Sequence, residues 1–411
     1  MTAPQVRSIT DDELASFLAV ARTALHGPPP TEEQVESRRK NIEIDRCLGA
    51  FDADGKLCGS ARSFATELTV PGGVVSAAGI SAVGVLPTHR RQGHLRRMMD
   101  HQLAEVAGRG EAVAVLVAAE YPIYGRYGYG PTADACGVRL AVPGPDGWLD
   151  PATGRVELVD NARFLDAATE LYDRARLRAP GHITYSDDYW EDMVGELPTI
   201  SNAERRQNAP KVVWCDDSGE VQGAAMYTTD DNWIDNRPQV GLNTDIVLAA
   251  TDEAEREVLR YLAAVDWVQT VNIGLRPIDD PVPLWLVDGR RATLIDRSDH
   301  IWARILDVPT ALSARTYATT DRLVIEVDDP MGFASGRFAL EAGSDGAACA
   351  STSDDPDLRV PVAVLGSTYL GGFSWGRLAA AGWVEELHPG AIDRASALFT
   401  TPRAPYCALT F

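Results

Sequence analysis

Apolar positions along the chain fall into helical and strand rhythms, and the order of those rhythms repeats. Thr10-Asp11-Asp12-Glu13 is a capping-box pattern, after which Leu14, Phe17, Leu18 and Ala21 mark one face of a helix. His26-Gly27-Pro28-Pro29-Pro30 breaks that helix, and a second helical segment begins near Thr31. Strand-like runs follow at residues 47–51, 57–70 and 74–85, with turns at Asp54-Gly55 and Pro71-Gly72-Gly73. Beyond Gly93, Leu95, Met98, Met99, Leu103 and Val106 recur at helical spacing until Gly108 and Gly110, and residues 112–118 form a nearly continuous apolar strand. The order α-α-β-β-β-α-β predicts a mixed α/β domain over residues 1–145.

Pro143-Gly144-Pro145-Asp146-Gly147 reads as a boundary, and the same order then recurs over residues 146–298. Helices at 162–177 and 187–194 precede strands at 212–215 and 221–227, with Asp217-Ser218-Gly219 as the turn. A strand at 240–248 leads into a helix at 252–265 and a strand at 270–273. The strand-to-helix junction of this second copy has no glycine and carries Asp252, Glu253 and Glu255 in its first turn. Carboxylates there satisfy the positive end of the helix and repel phosphate, so the second copy is expected to be structural. A third region, 299–411, shows a helix-like segment at 309–315, strands at 323–327 and 337–341, an apolar run at 362–365 and a helix at 374–380. It ends in Pro-Tyr-Cys-Ala-Leu-Thr-Phe, which is too apolar to sit comfortably in water.

A chain of 411 residues exceeds one ordinary core, and 45% hydrophobic with 24% charged residues is a globular balance. Six cysteines without a CxxC pair suggest neither a zinc site nor a disulfide framework, and buried thiols in a reducing compartment are expected. No basic-then-apolar leader and no run of membrane-spanning length stands in the sequence, so a cytoplasmic protein without membrane association is expected. The 59 acidic residues outnumber the 38 basic ones, for a net charge of −21. Such a surface disfavours nucleic acid and favours cationic small molecules or basic peptide segments.

Against that acidity, Val-Gly-Val-Leu-Pro-Thr-His-Arg-Arg-Gln-Gly-His-Leu-Arg-Arg-Met-Met at 83–99 gathers four arginines where a strand hands over to a helix. Backbone N–H groups at a helix start lack intrahelical partners and form an anion site. Gly93 permits close approach of the backbone, and arginines add forked donors suited to a pyrophosphate. Cations there oppose the helix dipole unless an anion is present, which favours a binding role over a merely solvated turn.

This junction resembles the coenzyme A motif of the GNAT N-acetyltransferases, with Leu95 where a small residue usually stands. The likeness is closer to the Eis-like (enhanced intracellular survival) branch of actinobacterial type. That branch shares Pro-Thr-His-Arg-Arg-x-Gly, the phrase Ile-Tyr-Gly-Arg-Tyr-Gly-Tyr-Gly-Pro at 123–131, and Val-Leu-Gly-Ser-Thr-Tyr-Leu-Gly at 364–371. The resemblance spans the chain and implies an α/β (α+β) fold: two tandem GNAT-type domains, the first of them active, then a sterol-carrier-protein-like domain supplying the C-terminal carboxylate. It implies acetyl-CoA as acyl donor, no metal, and a homo-hexamer.

By the same resemblance, backbone N–H groups at Val83, Gly84 and Val85 pair with pantetheine and the thioester oxygen. Arg90, Arg91, Gln92, Gly93, His94, Leu95 and Arg96 hold the pyrophosphate, and Ala119 and Glu120 line the cofactor slot. Tyr124 matches the general acid, ahead of its neighbours Tyr127 and Tyr129, and the carboxylate of Phe411 matches the general base. Aminoglycoside-acetylating members carry carboxylates and an aromatic wall at positions that read here as Ala24, Thr410 and Ala82. A primary amine of a cationic small molecule, aminoglycoside-like or other, is therefore the expected acceptor, with Glu32, Glu33 and Glu36 as nearby charge. A lysine side chain of a protein is the alternative, and a non-catalytic CoA-binding module is a reading of another class. His89 and His94 suggest solvent or cofactor contact rather than a metal pair. Gly-Phe-Ser-Trp-Gly at 372–376 matches a nucleophile elbow, but His388 precedes Asp393 and no chain remains for the other strands, so hydrolysis is disfavoured.

Overall fold

The capping box forms: the Glu13 carboxylate accepts the Thr10 N–H at 2.9 Å, and helix α1 (Leu14–Ala24) follows, burying Leu14, Phe17, Val20, Ala21 and Ala24. The structure, a computed structural model, describes residues 5–197 and 202–411, so the first four residues of the expected N-terminal domain lie outside the described residues. Helix α2 (Glu32–Arg39) is capped by Thr31, whose hydroxyl accepts the Gln34 N–H at 3.2 Å. Strands β1 (Gln5–Ser8), β2 (Cys47–Phe51), β3 (Leu57–Val70) and β4 (Gly73–Val85) form an antiparallel meander. Helix α3 (His94–Gly108) then carries the chain to β5 (Val113–Val117), parallel to β4. Residues Ile301–Ile305 pair antiparallel with Val113–Val117 on the other edge of β5.

Two compact units result. The first holds residues up to 132, 301–402 and Phe411; the second holds 133–300 and 403–410. Residues 133–145, read in the sequence with the N-terminal domain, lie in the second unit. There Val138 pairs with Ile273 and Leu140 with Val271, all four of them buried. Residues 301–305, read as the opening of the third region, complete the first unit's sheet. The second unit repeats the earlier order with strands Arg155–Val159, Lys211–Cys215, Val221–Thr229, Val240–Ala249 and Val268–Arg276. Its helix Asp252–Ala263 connects the last two, which run parallel.

Within the first unit, residues 308–402 build a five-stranded sheet in which Asp321–Asp328 pairs antiparallel with Gly336–Gly343 and parallel with Leu358–Pro361. The apolar run at 362–365 is the start of a helix, Val362–Thr368. Ser374 accepts the Arg377 N–H at 3.2 Å as the cap of helix Trp375–Ala380, so the apparent nucleophile motif is a capping site. Arg304 donates to both carboxylate oxygens of Asp329 at 2.8 and 2.7 Å, and neither side chain is exposed. Among the described residues no helix is long and apolar enough to cross a membrane, and all six cysteines are free.

Candidate active site

The site begins where two parallel strands part. β4 pairs with β5 at Ala77–Val113, Ala78–Ala114 and Gly79–Val115, and the pairing goes no further. Along its other edge β4 stays with β3 to the end, but Ser60 faces Gly84 while Arg62 faces Ser81, so β4 carries one extra residue. This bulge contains Ala82, in the left-handed region at φ 53°, and the Ser60 hydroxyl donates to the Ala82 carbonyl at 2.9 Å. A bulge re-aims the strand that carries it, here Val83, Gly84 and Val85, all part-exposed. Gly84 has no space for a side chain, since a Cβ there would lie 2.5 Å from the Cβ of Ala24. Gly84→Ala is expected to lower stability by about 1–3 kcal/mol through overpacking. Ala24→Gly should restore part of that loss, read as the unfolding temperature of the pair against each single variant.

At the end of β4 the backbone folds into a cradle. Arg91 (φ 64°) and Gly93 (φ 79°) both take left-handed conformations on either side of Gln92, and Gly93 caps α3. Such alternation makes neighbouring N–H groups converge on one point, and no acid stands in the first turn of α3 to compete for them. Arg90, Arg91, Gln92, Gly93 and Arg96 are exposed. Arg97 braces the loop by donating to the Gln92 carbonyl at 3.1 Å, and Arg96 stands 3.9 Å from Asp100. The Arg91 guanidinium has no hydrogen-bond or ion-pair partner among the described residues. A convergent N–H cluster with such an arginine fits a doubly charged anion such as a pyrophosphate.

Beyond β5, exposed Ala119 and Glu120 lead into the short helical turn α4 (Tyr121–Tyr124). Tyr124 points inward, edge-on to Tyr129 with ring centres 6.0 Å apart, and belongs to the apolar cluster that also takes in Val83, Leu95 and Ala118. Burial, with the charge of Glu120 adding to it, pushes the Tyr124 phenol up to about 12. The Phe411 ring lies edge-on to Phe64 at 5.6 Å. Phe64 lies opposite Gly79, the last β4 residue paired with β5.

Residues 5–132 and 181–305 each match an acetyltransferase (GNAT) domain family, and residues 308–408 match the sterol carrier protein domain. An N-acetyltransferase of Streptomyces griseus is 42% identical over 99% of both chains. N-acetyltransferase Eis of Mycobacterium tuberculosis is 31% identical over 98% of each. The chain belongs to the Eis family of N-acetyltransferases. Eis1 of Mycobacterium abscessus, a solved structure, superposes with a TM-score of 0.86 at 34% identity, over 99% of this chain and 100% of that one.

Within this Eis-family fold, Val83, Leu95 and Tyr124 share one apolar cluster. The His94 ring is turned into the interior, 3.8 Å from the Cys58 thiol, and burial together with Arg97 lowers its pKa. The side chain therefore packs, and only its backbone N–H stands at the helix start. His89 contacts Asp52 at 3.5 Å and its own neighbour Thr88. Glu32 and Glu36 line a cavity of about 280 Å³ with Ala15 and Ala19, on the flank of α1 turned away from its buried face.

The second GNAT domain offers a contrast at its helix start. Asp252 accepts from Arg178 and from Arg403 at 2.7 and 2.9 Å, while Glu255 accepts from Arg276 and, at 3.2 Å, from Arg178. The arginines at this helix start, Arg178, Arg276 and Arg403, are engaged by carboxylates of the chain itself.

Three features of the site had no warning in the sequence. Nothing in Ser81-Ala82-Val83 marks a bulge, because a non-glycine residue with positive φ leaves no compositional trace. Phe64 as partner to Phe411 and Trp302 against Tyr121, at 4.9 Å, are contacts between residues about 350 and 180 positions apart. Periodicity reports which face a residue occupies and says nothing about such partners.

Proposed function

We propose that this N-acetyltransferase moves acetyl from acetyl-CoA to a primary amine on a cationic small molecule. When bound, acetyl-CoA supplies the acetyl group as an activated thioester. The observation that carries the reading is Arg91, without a side-chain partner among the described residues, beside the convergent N–H groups of 91–93 at the end of a strand pair that parts at Gly79. In this reading the backbone of Arg91 to His94, with Arg90, Arg91 and Arg96, binds the pyrophosphate. Val83, Gly84 and Val85 present backbone groups to the pantetheine arm and the thioester oxygen. Leu95, Ala119 and Glu120 wall the slot.

The Phe411 carboxylate takes the proton that the attacking amine loses as the N–C bond forms. Tyr124 donates to sulfur as the C–S bond breaks, and a phenol near 12 is protonated at any pH where the enzyme works. The acidic surface, at −21, draws cationic acceptors inward. By the resemblance, Ala24 stands where aminoglycoside-acetylating members carry a carboxylate, and its methyl group, packed on Gly84, favours simpler amines over aminoglycosides. In this reading the enzyme works in the cytoplasm as a homo-hexamer, and light scattering of the purified protein checks the assembly.

Thiol release from acetyl-CoA across aminoglycosides, polyamines, arylalkylamines, free lysine and a lysine-rich peptide tests the substrate class. Release stimulated by the peptide alone would make the enzyme a protein lysine acetyltransferase. Extending the chain beyond Phe411 with a tag is expected to lower kcat at least tenfold, whereas an N-terminal tag leaves it unchanged. Equal turnover by both would remove Phe411 from the mechanism.

A further inference from the structure

The second unit contains its own pair of parting strands. Val240–Ala249 runs parallel to Val268–Arg276, pairing Leu242 with Val271 and Asn243 with Asn272, and the two then separate. As in β4, the first of these strands gains one residue just past that point: Thr244 faces Tyr227 while Ile246 faces Met226, leaving Asp245 extra. A cavity of about 170 Å³ occupies the fork, lined by Thr244, Asp245, Gly274, Arg276 and also by Ala408 of the C-terminal segment. The fork that in the first GNAT domain carries Val83 to Val85 therefore holds, in the second, a stretch of the chain itself.

That stretch is held along its length. Arg403 pairs with Asp252 at the start of the helix leading out of the fork, where the first domain has its N–H cradle. The Ala404 N–H donates to Asp279 at 2.8 Å and the Tyr406 N–H to the Pro180 carbonyl at 3.0 Å. Pro405, Cys407 and Leu409 are buried while Tyr406, Ala408 and Thr410 are more open, the alternation of an extended strand lying in a groove. Leu409 packs with Ile246, Leu248 and Met226 from the fork's own strands, and the Tyr189 hydroxyl donates to the Thr410 carbonyl at 2.8 Å. The next residue is Phe411.

We propose that the fork of the second GNAT domain is an internal peptide-binding site for residues 403–410, and that this docking sets the position of the Phe411 carboxylate for proton transfer. The second half of this statement rests on the reading of Phe411 as base. A domain whose anion site is engaged by its own arginines thus keeps a function, with the peptide lying where the first domain is read to take pantetheine. Arg403, Asp279 and Ala408 are positioning residues, acting through Phe411 rather than on substrate.

The test uses the full chain with Ala408→Arg, which forces a charge into the fork, and Arg403→Ala, a milder change at the more open end. Hydrogen exchange of the 403–410 amides reads docking, and kcat with acetyl-CoA affinity by calorimetry reads its consequence. Ala408→Arg is expected to expose those amides and lower kcat about 10²-fold, the scale of a misplacement near 1 Å, with acetyl-CoA affinity within twofold. Arg403→Ala should show the same pattern at roughly threefold to tenfold, and it carries the test if Ala408→Arg does not fold. Amides that stay protected in Ala408→Arg would overturn the fork as the binding site. Exposed amides with unchanged kcat would overturn the positioning role. A chain extended by one glycine after Phe411 separates the two readings. If it keeps both protection and kcat, the base reading fails while the docking stands.

Discussion

Replacing Tyr124 by phenylalanine is expected to lower kcat about 10²–10³-fold, the range general acids contribute, with the unfolding temperature nearly unchanged. The ring is what the fold uses. It fills the cluster shared with Val83, Leu95 and Tyr129, and phenylalanine preserves that packing. In the proposed reaction the hydroxyl is the acid, because sulfur leaving without a proton must leave as a bare thiolate in a desolvated corner. A phenol held near 12 also makes a statement about pH. The wild-type rate should show no alkaline decline from this group below about pH 10, so a limb seen at pH 8–9 has another origin. Rates measured from pH 6 to 10 for both proteins settle the assignment, and a Tyr124→Phe enzyme with full kcat would transfer the acid role elsewhere.

Arg304→Met or Asp329→Asn is expected to cost about 3–5 kcal/mol, the largest stability effect in the first unit, because each leaves a buried group without its partner. Asp329 also accepts the Met331 and Ala334 N–H groups at 3.1 and 2.9 Å. Burial alone would raise its pKa, but Arg304 and the Ala334 N–H outweigh burial and hold it below the usual carboxylate range. The sign follows: this stabilisation is present above a pH of about 3.9, the unfolded value, and is lost as pH falls through the lower folded value. Urea unfolding at pH 7 and at pH 3 measures both effects. The double replacement Arg304→Met with Asp329→Leu should recover much of the loss, since well-packed apolar residues can replace a buried pair. If each single change costs less than 1 kcal/mol, the pair is not what joins strand 301–305 to the loop at 329–334.

Where local chemistry determines local structure, the sequence was readable. The Thr10 and Thr31 caps, the strands at 47–51 and 57–70, and the helix beginning at His94 all lie where capping residues and apolar spacing put them. The cradle was visible because glycine and arginine at a helix start conflict with the helix dipole unless an anion is meant. Boundaries between units were not visible. Pro143-Gly144-Pro145 has the composition of a linker, yet residues 136–141 pair with 270–276, and pairing over that separation leaves no mark on either strand alone. The place of the His94 ring was hidden for a related reason: next to arginines in sequence, it is turned toward Cys58 in space. The C-terminal segment showed its apolarity but not its groove, which is assembled from strands some 130–165 residues earlier.

Strand 301–305, the neighbour of β5, has a consequence for synthesis. Val113–Val117 leave the ribosome about 180 residues before the segment that pairs with them. At ~5–20 residues per second the edge of β5 waits on the order of 10–40 s, with its Val-Ala-Val-Leu-Val backbone unpaired on one side. During that interval the nascent first domain can associate edge-to-edge with another copy emerging from the same message. Slow stretches of translation between residues 120 and 300 would lengthen the exposure, and the yield of folded enzyme should depend on codon choice there more than in the first hundred codons.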